Sequence, residues 1–259
     1  MRGGNRRLGR SPERAAGLGT ARRHSRGAVD RAAGRCRDVV ISALLLVVLL
    51  PVVAFVAVAI KIDSRGPILY GCLRIGKGGR AFTMLKFRKM TLGAGGPTLT
   101  VASDPRFTRL GRFLATSKLD ELPQLWNVLR GEMSLVGPRP EDGGFVALRP
   151  DDYRVILRVR PGITGLSQLA FAKESQILDS DDRVGDYVRR LLPQKTSIDR
   201  FYAKNGTFGM DLRILGWTAV AVLLRRDIAV HRETGALGVR RRPEATATSV
   251  TPVPAEASP

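Results

Sequence analysis

The chain has 259 residues, enough for one medium-sized domain with tails. Lys and Arg total 43 against 23 acidic residues, a formal charge of +20, which directs the search for partners to nucleic acid, phosphorylated small molecules or an anionic membrane surface. Two cysteines, Cys36 and Cys72, make no disulfide framework, and two histidines in tail-like segments, His24 and His231, give no basis for a zinc site or a His-based triad.

Residues 1–37 carry eleven Arg and only Glu13 and Asp30 as acids. They show no apolar periodicity, and a disordered basic arm is expected. Residues 38–62 contain the run Val39 to Ile60, broken only by Ser42 and Pro51. As a helix such a run is about 33 Å long, enough to cross a bilayer core. Basic residues flank both ends: Arg31, Arg35 and Arg37 before it, Lys61 and Arg65 after it. Lys and Arg favour the cytoplasmic side, and Pro51 removes a backbone hydrogen bond near the middle. A re-entrant helix with both ends cytoplasmic is therefore preferred over a straight span.

Residues 63–230 are read as the folded domain. "GPILYGCLRIGKGGRAFTMLKFRKM" (66–90) reads as short strands around a glycine turn at Gly76–Gly79. Its "GCLRIGKG" is not a P-loop, because Gly78 stands where the magnesium-binding Ser or Thr belongs. Residues 93–111 read as a loop. Leu119, Leu122, Leu125, Trp126 and Leu129 recur at helical spacing, with Pro123 in the first turn. Further helices follow, interrupted at Pro193. Residues 208–226 read as an amphipathic helix lying at a membrane interface. The remainder, 231–259, contains Arg240, Arg241 and Arg242 and a Pro/Ala/Thr/Ser stretch, and reads as a disordered tail.

Asp120 and Glu121 stand where that central helix begins. Carboxylates in a first helical turn are often only dipole partners. Here Lys86, Arg88, Arg139 and Arg160 lie in short polar islands within apolar sequence, and two prolines stiffen the backbone around Arg139. Such cations suit a phosphoryl substrate, and a carboxylate among them could attack phosphorus or hold a magnesium ion bridging phosphate oxygens.

The stretch "LDELPQLWNVLRGEMSLVGPRP" resembles the signature of the bacterial sugar transferases, the monotopic polyprenyl-phosphate phosphoglycosyl transferases. "IDSRGP", "MLKFRKM", "DPRFTRLGRF", "RPGITG" and "DLRIL" extend the resemblance over roughly residues 35 to 226. It implies a helix-dominated α+β fold, a monotopic protein of the cell membrane with a re-entrant helix and a catalytic domain on the cytoplasmic face. It also implies transfer of a sugar 1-phosphate from a nucleotide diphosphate sugar to polyprenyl phosphate, releasing nucleoside monophosphate. Asp120 would be the nucleophile, Glu121 its assistant, and both would hold Mg2+. Lys86, Arg88, Arg139 and Arg160 are the candidate substrate-binding residues. The chain departs from the pattern at Ala115, where relatives carry Arg, at Leu50 before the membrane proline, and at Leu166-Ser167-Gln168. A catalytically idle scaffold of the same family and a membrane-tethered nucleic-acid binder are the rival readings. Low aromatic content and a charge concentrated in the arm speak against nucleic acid as a partner.

Overall fold

The computed structural model describes residues 32–96, 99–101, 104–174, 182–231 and 234–240. The chain opens with two helices, α1 (Ala32–Val48) and α2 (Leu50–Asp63), bent by 61° at their junction. Pro51 occupies the first turn of α2. A proline there has no N–H to return to the preceding turn, and its ring crowds the carbonyl behind it, so the helix breaks where the sequence reading put a kink. No single helix among the described residues is long and apolar enough to cross a membrane; α1 and α2 meet that test only as a bent pair.

Only narrow stripes of this pair touch the rest of the protein. Ile41 and Leu45 of α1 pack against the main core, and Val56 and Ile60 of α2 are buried with Phe87 and Leu114. Both contact pairs are spaced i,i+4, one helical face. Leu44, Val47, Leu50, Phe55, Val58 and Ile62 point outward and are exposed.

Next comes an antiparallel hairpin, β1 (Leu69–Ile75) with β2 (Ala81–Phe87), in the register Leu69↔Phe87. The expected glycine turn joins the strands, with Gly78 and Gly79 at positive φ. Phe82 and Met84 of β2 enter the core on alternate positions. Helix α3 (Arg109–Ser117) follows, capped by the Thr108 hydroxyl, which accepts from Gly111 N at 2.9 Å. A tight 3-10 turn (Leu119–Glu121) and α4 (Gln124–Arg130) come next. Thus Asp120 and Glu121 do not start the long helix; they form a separate turn in front of it.

Two short strands, β3 (Ser134–Val136) and β4 (Gly162–Thr164), pair in parallel, with α5 (Gly143–Ala147) and α6 (Pro150–Ile156) between them. Helix α7 (Leu166–Ala170) follows. α8 (Arg183–Asp186) runs through a π turn at Tyr187–Leu191 into α9 (Leu192–Asn205). Pro193 sits in the first turn of α9, so it opens a helix instead of interrupting one. α10 (Phe208–Leu223) buries Ile214 and leaves Leu212, Val222 and Leu223 exposed.

The main core joins β2, α4, β3, α7, α9 and α10 through Met84, Val128, Val136, Leu166, Ile198 and Ile214. The fold is α+β and helix-dominated.

Both expected termini shrink. The arm's last residues, 32–37, are helical, and Arg35 and Arg37 are structural: Arg35 donates to Val128 O (2.6 Å) and Leu129 O (3.0 Å), and Arg37 pairs with Asp38 and Asp211, both at 2.8 Å. At the other end, β6 (Leu237–Val239), inside the segment read as tail, pairs in a hairpin with β5 (Ile228–Val230), the last residues of the expected domain. Residues 1–31 and 241–259, the rest of the expected arm and tail, lie outside the described residues.

Candidate active site

Three connections bring the site together. The first is backbone geometry at Lys118, which ends α3 in the left-handed conformation at φ 61°. A non-glycine residue adopts this at a cost of roughly 1 kcal/mol, and the reversal folds Leu119–Glu121 back toward the end of β2. The second is Asn127 on α4, fully buried, whose Oδ1 accepts from Leu85 N at 3.0 Å and whose Nδ2 donates to Thr83 O at 2.8 Å and to Glu132 Oε2 at 2.7 Å. These bonds fill the free edge of β2 and fasten α4 to it.

The third is the Gly137–Pro140 loop. Gly137 N donates to Thr164 O (2.9 Å) and Gly162 N donates to Pro138 O (2.8 Å). The two loops approach so closely that a Cβ at Gly162 would lie 2.1 Å from Gly137 N. Gln168 Nε2 reaches the carbonyls of Gly137 and Gly162, at 3.4 and 3.3 Å. Arg139 is therefore presented from a loop held on several sides.

Within this frame two carboxylates meet three cations. Lys89 Nζ lies 2.9 Å from Asp120 Oδ2. Lys86 Nζ lies 3.1 Å, and Arg139 Nη2 3.3 Å, from Glu121 Oε1. The Asp120 side chain is 2% exposed, against 12% for Lys86, 14% for Glu121, 22% for Lys89 and 35% for Arg139, so Lys89 and Arg139 form the outer layer and Asp120 the floor. Burial alone raises the Glu121 pKa, but Lys86 and Arg139 outweigh it and hold the carboxyl well below its usual range. Glu121 in turn raises Arg139 above the ordinary guanidinium value. Both stay charged, and the cluster keeps one positive charge in excess.

Of the expected site residues, Asp120, Glu121, Lys86 and Arg139 come together. Arg88 does not. Its Nε donates to Pro67 O (2.6 Å) and its Nη2 to Ser64 O (2.8 Å), so this buried side chain holds the α2–β1 connection. Arg160 does not either: its Nε donates to Gly131 O at 2.9 Å, past the C-terminal end of α4 and away from the dyad. Lys89 was missed. β2 ends at Phe87, so strand alternation does not carry on to residue 89. The backbone of Lys89 is instead set by α3: Thr108 N donates to Lys89 O, and a Cβ at Gly111 would lie 1.9 Å from that oxygen.

Magnesium can be judged by the donor set. Among the described residues no three His, Cys, Asp or Glu side chains gather. Two adjacent carboxylates are nevertheless a fitting partial set, because magnesium takes one or two protein carboxylates and completes its shell from waters and substrate phosphates.

A buried network continues behind Arg139. Tyr187 Oη donates to Glu141 Oε2 at 2.5 Å, and Lys195 Nζ lies 3.0 Å from both Tyr187 Oη and Glu174 Oε2. Burial pushes the Asp199 carboxyl up to about 7, with Glu141 adding to the rise, while Ser167 and Lys195 oppose it.

Comparison with known proteins matches residues 29–225 to the family described as bacterial sugar transferase. The UDP-glucose:undecaprenyl-phosphate glucose-1-phosphate transferase of Caulobacter vibrioides (strain ATCC 19089 / CIP 103742 / CB 15) is 38% identical over 194 residues, 73% of this chain and 69% of that protein. The exopolysaccharide production protein PSS of Rhizobium leguminosarum bv. phaseoli is 38% identical over 207 residues, 76% of this chain and 98% of that one. The undecaprenyl-phosphate glucose phosphotransferase of Komagataeibacter xylinus is 37% identical over 202 residues, 74% of this chain but 36% of that longer protein. Several of the matched relatives are thus covered over well under half of their length.

Proposed function

The chain belongs to the bacterial sugar transferase family, and from that premise we propose that it transfers a sugar 1-phosphate from a nucleotide diphosphate sugar to polyprenyl phosphate, the priming step of a cell-surface glycan. The observation that carries this reading is the layered cluster: Asp120 buried beneath Lys89, and Glu121 between Lys86 and Arg139. A diphosphate matches the excess of positive charge, and charge-assisted hydrogen bonds from Lys and Arg to phosphate are among the stronger polar contacts.

In the proposed reaction the diphosphate takes Lys89 and Arg139 as partners, which draws Lys89 off Asp120 and uncovers its carboxylate. Asp120 attacks the phosphorus that bears the sugar. The bond from that phosphorus to the bridging oxygen breaks, and nucleoside monophosphate leaves with the electron pair. An oxygen of polyprenyl phosphate then attacks the same phosphorus, the acyl phosphate bond breaks, and Asp120 is freed. Lys86 and Arg139 keep Glu121 ionised and facing the site. Asp120 and Glu121 would hold Mg2+, which supplies charge neutralisation on the phosphate oxygens when bound.

The bent pair is proposed to sit in the membrane as a re-entrant element, with the catalytic domain on the cytoplasmic face. In support, both ends dock on one folded domain. Near the start of α1, Arg35 and Arg37 bond to α4 and α10, and Asp38 accepts from Ser134 Oγ at 2.6 Å. The end of α2 packs on Phe87 and Leu114. A helix crossing to the other side could not return both ends to one domain. The apolar exposed faces of the pair and of α10 suit lipid.

The test is a partial reaction. Purified protein with Mg2+ and a nucleotide sugar, UDP-glucose and UDP-galactose first, should become labelled with phosphosugar and release nucleoside monophosphate before any lipid is added. Asp120→Asn should abolish both. Wild-type turnover by Asp120→Asn, or a label mapped elsewhere, overturns the mechanism.

A further inference from the structure

A second cavity, of about 440 Å3, opens between α6 and α9 and is lined by Arg149, Asp152, Thr196, Ser197, Arg200 and Lys204. α9 separates it from the network behind Arg139. At about 100° per residue, Lys195, Asp199 and Tyr202 share one face of α9, while Ser197, Arg200 and Lys204 occupy the opposite face. The cavity is therefore no extension of the transferase site.

Its charge is unbalanced and its cations are held in place. Arg149 Nε and Arg200 Nη1 converge on the carboxylate of Asp152, at 2.5 and 2.6 Å, and Thr196 Oγ1 donates to it at 3.1 Å. Asp152 is buried, and these partners hold its pKa below the usual value against the opposing effect of burial. A guanidinium has five N–H donors in a rigid fork, so each Arg retains donors beyond the one Asp152 accepts. The side chains of Lys204 and Ser197 have no hydrogen-bond or ion-pair partner among the described residues. Three cations around one carboxylate leave a surplus of about two charges on a polar concave surface. The carboxylate orients the guanidinium groups in advance, so a ligand need not restrain them. The one hydroxyl paired with a carboxylate, that of Thr196, is buried and shares Asp152 with two guanidinium groups, which suits binding and not chemistry.

We propose that this cavity is a second site that binds a phosphate group, clamped by Arg149, Arg200 and Lys204. The group can belong to a soluble phosphorylated compound of sugar-phosphate size or to a phospholipid head group; both present the same anion.

The experiment uses the full chain in a zwitterionic detergent at constant ionic strength. Thermal unfolding is followed while inorganic phosphate replaces chloride. Phosphate should raise the midpoint of the wild type and equally that of Arg139→Ala, whose transferase site has lost its own phosphate contact. Lys204→Ala should weaken the apparent phosphate affinity at least several-fold, and Lys204→Ala with Arg200→Gln at least tenfold. Lys204→Ala removes no contact within the protein, so its midpoint without phosphate should equal that of the wild type, which keeps the test valid if the double variant is unstable. A parallel arm sediments each protein with vesicles of phosphatidylcholine alone or mixed with phosphatidylglycerol. Loss of the phosphatidylglycerol preference in Lys204→Ala assigns the phosphate to a head group; loss of the phosphate response alone assigns it to a soluble compound. If neither response differs between the wild type and Lys204→Ala, or the wild type shows neither, the proposal is wrong.

Discussion

Replacing Asn127 with Ala tests whether the α4–β2 clamp sets the geometry of the site. The side chain is fully buried and makes three hydrogen bonds: two to backbone groups of β2 and one to the Glu132 carboxylate. Neutral bonds contribute about 1 kcal/mol each and a bond to a charged group about 2, so Asn127→Ala should cost about 4 kcal/mol. For a domain of this size that lowers the unfolding midpoint by roughly 10 °C. Asn127→Asp keeps the shape but turns a donor into an acceptor facing Thr83 O and Glu132, and should destabilise at least as much. The functional consequence is separate. β2 carries Lys86 and leads into Lys89, while α4 follows the dyad, so loosening the clamp should slow phosphosugar labelling more than tenfold, even well below the new midpoint. The assay pairs thermal unfolding with labelling at a temperature where all variants are folded. A stability loss under about 1 kcal/mol, or wild-type labelling by a destabilised but folded Asn127→Ala, refutes the reasoning.

Arg139→Ala should reduce turnover at least a hundredfold, whereas Arg160→Ala should retain most of it and lose about 1–2 kcal/mol of stability, the worth of a charged donor's bond to Gly131 O; steady-state kinetics and thermal melts separate the two. Lys89→Met should raise KM for the nucleotide sugar and slow labelling while leaving the fold intact by circular dichroism. Asp199 predicts a pH effect. Its folded pKa of about 7 exceeds the ordinary 3.8, so between these values the folded state binds more protons than the unfolded one, and stability falls as pH rises, by about 1.4 kcal/mol per unit and about 4 in all. Asp199→Asn should remove that slope, and melts from pH 4 to 8 would reveal it. In a cysteine-free background, cysteines placed at Ala33 and Arg65 should both label from the cytoplasm only; periplasmic access at either one removes the re-entrant reading.

The dyad, its partners Lys86 and Arg139, and the Pro51 break were legible because short-range chemistry decides them: neighbouring carboxylates, a proline-braced Arg, a proline inside an apolar run. What escaped depends on long-range closure. Arg88 and Arg160 have the composition of phosphate ligands, yet nearby carbonyls claim both. Lys89 gains its role from a strand that stops at Phe87 and from α3 pressing on its backbone. Arg35 and Arg37 looked like part of a solvated arm because their partners, Val128, Leu129 and Asp211, lie some 90 or more residues away in the chain. The β5–β6 hairpin has only three residues per strand, too few for alternation to register.

Those same arginines have a mechanical consequence. A catalytic domain joined to its anchor by one flexible linker would ride at any height above a bilayer. Here the bent pair is fastened at its entry by Arg35 and Arg37 and at its exit by Val56 and Ile60. Tilting the domain would break charged bonds on one side or empty a packed contact on the other. Placed in lipid as proposed, the bent pair would hold the dyad at one elevation, and the protein would act as a depth gauge. In the proposed reaction a substrate arriving from water would find the site by diffusion in three dimensions, but a lipid acceptor would be read only where its phosphate lies at that one level.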